Sequence, residues 1–412
     1  MKSFLKRHNH RQTQLIENRN IQMFYKNDPI FLETKSRASS KSMKYDDRKD
    51  YVDKINNSDS TWKAGFNDFF KGMTFAEIYR KMGSKSNFAT IDTNLSEEQS
   101  FLEFKSSKLN SKSTKNKEKI KTKKHILLNQ SSYSEREVDS KDITYLEDIN
   151  KYQNVPIDEI DTLKLPLNWD WRNVGGVNFV PPTNQQGNCG SCYVFATIEG
   201  LETQLRILTL NKDKTLFSKQ YTLSCSPFTE GCHGGYPILV AKFAKEFDLI
   251  SEECFPYKEN DTDCSRRCDN SKSRRKYSVS KYGYIGGYYG AATEELMMKE
   301  IRAHGPIPGN LNPPWNFSYY RSGVYMFYNK VAKNNGKISK ISMADQDVDW
   351  LQVEHSTLIV GWGEENGIKY WICLNTWGES FGEGGFFKIL RGENECNIET
   401  MGEFYRLKIE DQ

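Results

Sequence analysis

Four residues of this 412-residue chain have the types and settings that nucleophilic chemistry needs: Cys192, His355, Asn375 and Gln186. Cys192 stands at the front of a segment with apolar residues at Val194, Phe195, Ile198, Leu201, Leu205 and Leu208. That spacing is one face of an amphipathic helix, and Ser191 is placed to cap it. A thiol in a first helical turn meets unpaired N–H groups and the positive end of the dipole, which favours its thiolate. Gln186 lies six residues earlier on a Gly-flanked loop. Its side-chain amide and the Cys192 N–H together suit the polarising of a carbonyl oxygen.

A nucleophilic thiol needs a base, and only six histidines are present. His8 and His10 sit in a polar tail, His125 in a Lys-rich run, His233 between Cys232 and two glycines, and His304 before the turn Gly305-Pro306. His355 opens a run from Ser356 to Gly363 that reads as a buried strand ending in a glycine turn. A base presented from a rigid strand suits an ion pair with a helix-borne thiol. Twenty residues on, Asn375-Thr376-Trp377-Gly378 supplies an amide to orient the imidazole and an indole to cover that hydrogen bond. The bland alternatives are a disulfide loop ahead of a core helix and a core-filling histidine. The order Cys, His, Asn and the full string from Asn184 to Ala196 favour the catalytic reading.

The elements that position these residues come late in the chain. Composition is 27% charged and 37% hydrophobic with net charge +4, and the length admits one large or two medium domains plus non-globular sequence. Residues 1–44 are polar and basic, without periodic apolar residues or the apolar run of a secretory signal. No stretch approaches the roughly 18 apolar residues of a membrane helix, so a soluble chain is expected. Residues 45–84 suit a short helix-rich module. Residues 85–164 are rich in Lys, Ser, Asn and Glu, most basic from Lys105 to Lys124. They read as a solvated linker, with polyanion binding as the rival and no nucleic-acid partner expected. Asn94-Leu95-Ser96 and Asn129-Gln130-Ser131 fit glycosylation sequons of a kind that chance readily supplies. Residues 165–412 are globular in composition and hold all nine cysteines. The cysteines from 225 to 268 lack paired Cys-x-x-Cys knuckles, so no metal site is expected. Helical patterns at Cys192–Leu208 and Ile238–Phe247 precede short strands at Tyr282–Gly286, Gly323–Phe327, Leu358–Val360, Tyr370–Leu374 and Gly385–Leu390. Helices followed by strands predict an α+β protein of two subdomains meeting at a cleft.

The string Cys-Gly-Ser-Cys-Tyr at 189–193 is the local signature of papain- and cathepsin-type peptidases. From Leu165 to about Phe404 the chain resembles the papain family, and within it the cathepsin C (dipeptidyl peptidase I) branch. The matching residues are Leu165-Pro166, Trp169 through Val174, Tyr193, Ser224-Cys225, Gly231 through Pro237, Cys254 through Tyr257, Gly286 through Gly290, His304-Gly305-Pro306 and Glu395-Cys396. Upstream, Tyr51-Val52, Ile55-Asn56, Trp62 and Ile78 through Met82 resemble the region before the mature catalytic chain.

The resemblance implies a papain-like two-lobed fold with an N-terminal pro-region, made as a zymogen. A helical lobe would carry the cysteine and a β-barrel-like lobe the histidine and asparagine. It implies disulfides Cys189–Cys232, Cys225–Cys264 and Cys254–Cys268, and hence a secretory, lysosome- or vacuole-like compartment. Gly234 and Gly235 would pair with an extended peptide or protein substrate, and Tyr236 would shape the second pocket. Chloride would lie beneath that pocket on Tyr236 and Tyr284, although the third tyrosine of that site is Ile238 here; no other cofactor is implied. Removal of dipeptides from free N-termini is also implied. The branch owes that habit to an exclusion domain which residues 1–44 do not resemble, so an oligomeric or separate source of it is expected. An open-cleft endopeptidase and a catalytically silent peptidase-fold binder are the alternatives. Glu354 and Ser356 flank His355 where the branch usually has Asn or Asp and Ala. Tyr328 to Gln352 is a polar insertion, read as a surface loop or as a processing segment between chains.

Overall fold

The computed structural model describes residues 44–74, 165–264, 275–326 and 354–411, with short pieces at 77–78, 332–334 and 337–339 and single residues between 152 and 160. The N-terminal tail, the Lys-rich linker with both sequons, Cys268 and most of the polar insertion lie outside the described residues. Helix α1 (Lys49–Asn56) buries Tyr51, Val52 and Ile55 and leads to strand β1 (Trp62–Ala64). Then come β2 (Trp169–Asp170), α2 (Cys192–Leu208), α3 (Lys219–Cys225), α4 (Pro237–Glu246), β3 (Arg275–Tyr284), α5 (Glu294–His304), β4 (Ile307–Leu311) and β5 (Tyr320–Tyr325). A small hairpin, β6 (Ala332–Asn334) and β7 (Lys337–Ser339), precedes β8 (His355–Glu365), β9 (Ile368–Leu374), β10 (Phe386–Leu390) and β11 (Glu403–Asp411).

The helices begin and end where local chemistry directs. Pro237 opens α4, its missing N–H costing nothing in a first turn. Ser218 caps α3 by accepting from the Tyr221 amide, and Thr293 caps α5 by accepting from the Leu296 amide. Helix α2 departs from expectation: it is buried on every side from Cys192 to Ile207, not along one apolar face. Its position explains this. One flank packs with Val240, Ala241 and Ala244 in the helical lobe. The other approaches β11 so closely that a side chain at Gly200 would strike the Tyr405 hydroxyl. Ser191 stands at the cap position without capping; its hydroxyl is 2.6 Å from the Tyr257 hydroxyl instead.

The second lobe is a sheet in the order β1-β5-β10-β9-β8-β2, with β4 also beside β8. Only β5 and β10 run parallel; the other neighbours are antiparallel. The sheet is open, with β1 and β2 at its ends, rather than closed as a barrel-like lobe would be. Strand β2 crosses β8 so tightly that a side chain at Gly361 would meet the Trp169 carbonyl. β3 and β11 form a separate ribbon.

The upstream segment contributes a strand to this sheet. Trp62 pairs with Gly323, is buried, and donates its indole N–H to the Met326 carbonyl at 3.2 Å. Tyr45 stacks on Tyr319 at 4.4 Å, and Asn67 Nδ2 donates to the Ser318 carbonyl at 2.6 Å.

The bridges Cys189–Cys232 and Cys225–Cys264 are present as expected. Cys254 is disulfide-bonded too; its expected partner Cys268 is outside the described residues. Cys192, Cys373 and Cys396 stand outside the disulfides. Among the described residues, no helix is long and apolar enough to cross a membrane. The Cys189–Cys232 bridge closes a 43-residue separation directly ahead of α2. Replacing both cysteines by Ala should therefore lower the unfolding free energy by about 4 kcal/mol on loop-closure entropy. Urea denaturation measures it, and an unchanged midpoint would show the bridge to be dispensable.

Candidate active site

Cys192 opens α2 and is buried, 3% exposed. Its own amide, the Tyr193 amide and the Ser356 amide and hydroxyl all favour the thiolate. Burial opposes them and wins, pushing the thiol up to about 11. In the full chain burial thus opposes the thiolate that the helix N-terminus favours. The Ser356 contact matters for placement. Ser356 directly follows His355 on β8, so the first residues of that strand meet the front of α2.

His355 is buried, opposite Leu311 of β4. Its Nε2 lies 2.7 Å from Asn375 Oδ1, at the end of β9. A carboxamide oxygen can only accept, so Nε2 carries the proton and Nδ1 is left as the basic atom. Asn375 Oδ1 also accepts from the Thr376 amide at 2.9 Å, and the Asn375 amide donates to the Gly385 carbonyl at 2.9 Å. Trp377 lies over the imidazole, ring centroids 4.6 Å apart and planes 25° apart. Phe70, from the upstream segment, meets the same indole edge-on at 4.8 Å.

Gln186 is buried, and Nε2 donates to the Cys189 carbonyl at 2.8 Å. Its Oε1 accepts from the Thr376 hydroxyl. Its amide donates to the Thr376 carbonyl at 2.9 Å, and the Gly378 amide to the Asn184 carbonyl at 3.1 Å. The loop carrying Gln186 is thus fastened along the segment carrying Asn375. Tyr257 holds it from the other side, donating to the Gln186 carbonyl at 2.8 Å while meeting Ser191. Asn184 Nδ2 donates to Glu199 Oε1 at 2.9 Å, tying the loop back to α2. Sequence reasoning assigned no role to Thr376, Tyr257, Asn184 or Glu199. The run Cys254-Phe255-Pro256-Tyr257 was the one visible signal, and it named a resemblance without a contact.

The expected substrate residues lie just before α4. Gly234 has φ +109°, a conformation closed to other residues without strain, and a side chain at Gly235 would press into the Tyr193 ring at 2.6 Å. Tyr236 takes the cap position of α4. Beneath them lies a group the sequence did not single out. Glu403 is fully buried on β11, opposite Tyr284 on β3. Its charge acts on Tyr236, Tyr284 and Tyr289, and the Asn310 side chain and Ile238 amide favour its ionised form. Burial outweighs both and pushes its carboxyl up to about 8.

Residues 165–405 match the model of the papain family cysteine proteases, and the chain belongs to that family. It is 35% identical over 246 residues to cathepsin C of Schistosoma mansoni, covering 58% of this chain and 51% of that protein. It is 28% identical over 351 residues to dipeptidyl aminopeptidase 1 of Plasmodium falciparum, covering 68% and 50%. The chain thus spans about half the length of these two relatives. Procathepsin B of Trypanosoma congolense is a structural neighbour at TM-score 0.55 and 24% identity, covering 87% of this chain and 98% of that one. The fold is that of a papain-like cysteine peptidase with an N-terminal pro-region.

Because burial sets the thiol, alkylation of Cys192 by iodoacetamide in the full chain should be slow at pH 7 and climb steadily as pH rises toward 11. Mass spectrometry of the Cys192 peptide follows it. A rate already level below pH 7 would mean that the thiolate prevails despite burial.

Proposed function

We propose that this chain is the zymogen of a cysteine peptidase acting through Cys192, His355 and Asn375. The observation that carries the reading is the His355–Asn375 hydrogen bond under Trp377, on a strand whose next residue touches the Cys192 sulfur. His355 Nδ1 takes the Cys192 thiol proton as the sulfur adds to the scissile carbonyl carbon. The Cys192 amide and Gln186 Nε2 receive the oxyanion, for which Nε2 must turn from the Cys189 carbonyl. His355 Nδ1 gives its proton to the leaving amine, then takes one from the water that releases the acyl group. Asn375 keeps the imidazole in the tautomer and orientation this needs. Gly234 and Gly235 offer backbone to the substrate, with Tyr236 at the second pocket. Chloride on Tyr236 and Tyr284 would have one donor fewer here, since Ile238 brings no hydroxyl.

Cys192→Ala should abolish turnover of peptide substrates. Gln186→Ala should lower kcat by a factor on the order of 10² to 10³, as one oxyanion donor is lost. Steady-state kinetics on purified variants decides it, and an unchanged kcat with raised KM would move Gln186 to ground-state binding.

The finer reading is dipeptide release from free N-termini, supported by the likeness to cathepsin C and to a dipeptidyl aminopeptidase. The disulfides support a lysosome-like or secreted location. With paired free and acetyl-capped peptides, mass spectrometry should show dipeptides leaving only the free ones. Internal cuts in capped peptides would instead identify an open-cleft endopeptidase.

A further inference from the structure

The two donors proposed for the oxyanion come from different places: the Gln186 side chain on its loop and the Cys192 amide at the head of α2. One hydroxyl touches both places. Tyr257 Oη lies 2.8 Å from the Gln186 carbonyl and 2.6 Å from Ser191 Oγ, and Ser191 immediately precedes Cys192. The protons in this group can be assigned. A carbonyl only accepts, so the single Tyr257 proton goes to Gln186, and Ser191 therefore donates to Tyr257. The result is a directed chain from the Ser191 hydroxyl through the Tyr257 hydroxyl to the Gln186 carbonyl. Each proton in it has one acceptor.

The same chain accounts for an irregularity at the helix. The first amides of a helix lack intrahelical partners, and a serine at the cap position ordinarily accepts from the second or third of them. Ser191 is fully buried at that position, yet its side chain makes no cap bond. Tyr257 holds the hydroxyl instead, so the serine oxygen does not compete for the first-turn amides.

Tyr257 can act as a fixed reference because its backbone is anchored apart from α2 and from the Gln186 loop. Its amide donates to Glu252 Oε1 at 2.7 Å, and the Lys258 amide donates to Gln220 Oε1 at 2.8 Å. Ser218 Oγ donates to the Phe255 carbonyl, and Cys254 in the same run is disulfide-bonded. The ring then meets Phe195 of α2 edge-on, with centroids 4.9 Å apart.

We propose that Tyr257 is a positioning residue for the reaction, its hydroxyl setting the Gln186 side chain and the Cys192 amide at one spacing so that both serve the same oxyanion. This rests on the oxyanion role given to those two groups above. The effect belongs to the transition state. The carbonyl oxygen shifts as its carbon becomes tetrahedral, and donors help only when held at the place it will occupy. Ground-state binding falls to Gly234, Gly235 and Tyr236, which this tether does not touch.

The test is a cycle of variants, each made as the full chain and activated before kinetics. Tyr257→Phe keeps the ring against Phe195 and removes only the hydroxyl. It should lower kcat by about tenfold, the weight of one ordinary hydrogen bond, and leave KM within about twofold. Ser191→Ala should lower kcat by less, and adding it to Tyr257→Phe should bring no further loss, because the serine hydroxyl then has no partner to lose. In a Gln186→Ala background the Tyr257→Phe loss should shrink to about threefold, since only the Cys192 amide is left to misplace. Amide hydrogen exchange in the full chain, read by mass spectrometry, needs no activity: the peptide holding Gln186 should exchange faster in Tyr257→Phe. The proposal is overturned if Tyr257→Phe raises KM and spares kcat, or if its loss keeps full size without the Gln186 side chain. It is equally overturned if Ser191→Ala adds to that loss, or if exchange at Gln186 is unchanged. An unchanged kcat in Gln186→Ala alone would instead overturn the oxyanion reading, so the two failures are distinguishable.

Discussion

The rest of the structure depends on one junction, where the front of α2 meets the first residues of β8. Neither element could reach it alone. A helix N-terminus presents amides but no base, and a strand presents an imidazole but no nucleophile. The sheet brings β8 to the junction by pinning it between β4 and β9, with β2 crossing its far end. The Cys189–Cys232 bridge and Tyr257 fix the entrance of α2. Gln186 is then placed by the same segment that carries Asn375, through two hydrogen bonds with Thr376 and a third from the Gly378 amide to Asn184. Cys192, His355, Asn375 and Gln186 are therefore not four independent placements. They hang from two backbone segments that grip each other.

Making α2 the internal axis has a consequence for charge. Glu199 and Glu202 lie on the same buried helix, with Lys219 acting on both and Arg206 on Glu202. Lys219 Nζ pairs with Glu202 Oε1 at 2.8 Å, and both side chains are almost wholly buried. Burial of Glu199 outweighs the pull of Lys219, which is paired with Glu202, so Glu199 favours its neutral form and accepts from Asn184. The helix tolerates its second acid because that acid is neutral and hydrogen-bonded to the loop that carries Gln186.

This division also explains what the sequence could and could not convey. The bounds of α2 follow from apolar spacing and match to the residue, and β9 ends where the pattern ends. The chemistry-bearing set was legible because a thiol, an imidazole and an amide in that order carry a local signature. Helices α3 and α5 and strands β4 and β11 were not read. Strand β4 (Ile307–Leu311) contains Pro308 and Gly309, which argue against a strand until β8 is known to flank it. β11 alternates Phe404, Arg406 and Lys408 with Glu403, Tyr405 and Leu407, and the Glu at its start hides that its inner face is buried. Ser191 looked like a cap because its type and position are right; the Tyr257 hydroxyl, 66 residues away, takes it. Ser356 and Asn310 come from two strands, and no spacing links them. Register creates that pairing, and register is a property of the folded sheet.

The upstream segment raises a question of order. Residues 44–74 do not lie over the sheet as a tethered lid. Trp62 is a buried residue of an added edge strand, and Phe70 supports the indole that covers His355. Tyr45 against Tyr319, Trp62 against Tyr325 and Phe70 against Trp377 are each worth about 0.5–1.5 kcal/mol beyond the area they bury. Backbone pairing along β5 and the Asn67 hydrogen bonds add to this. Severing the chain between 75 and 164 removes none of these contacts. A cut there leaves the segment seated, its loss opposed by several kcal/mol and by the bare β5 edge it would expose. Cleavage and release are then separate events, and release is the one that alters the surroundings of Trp377.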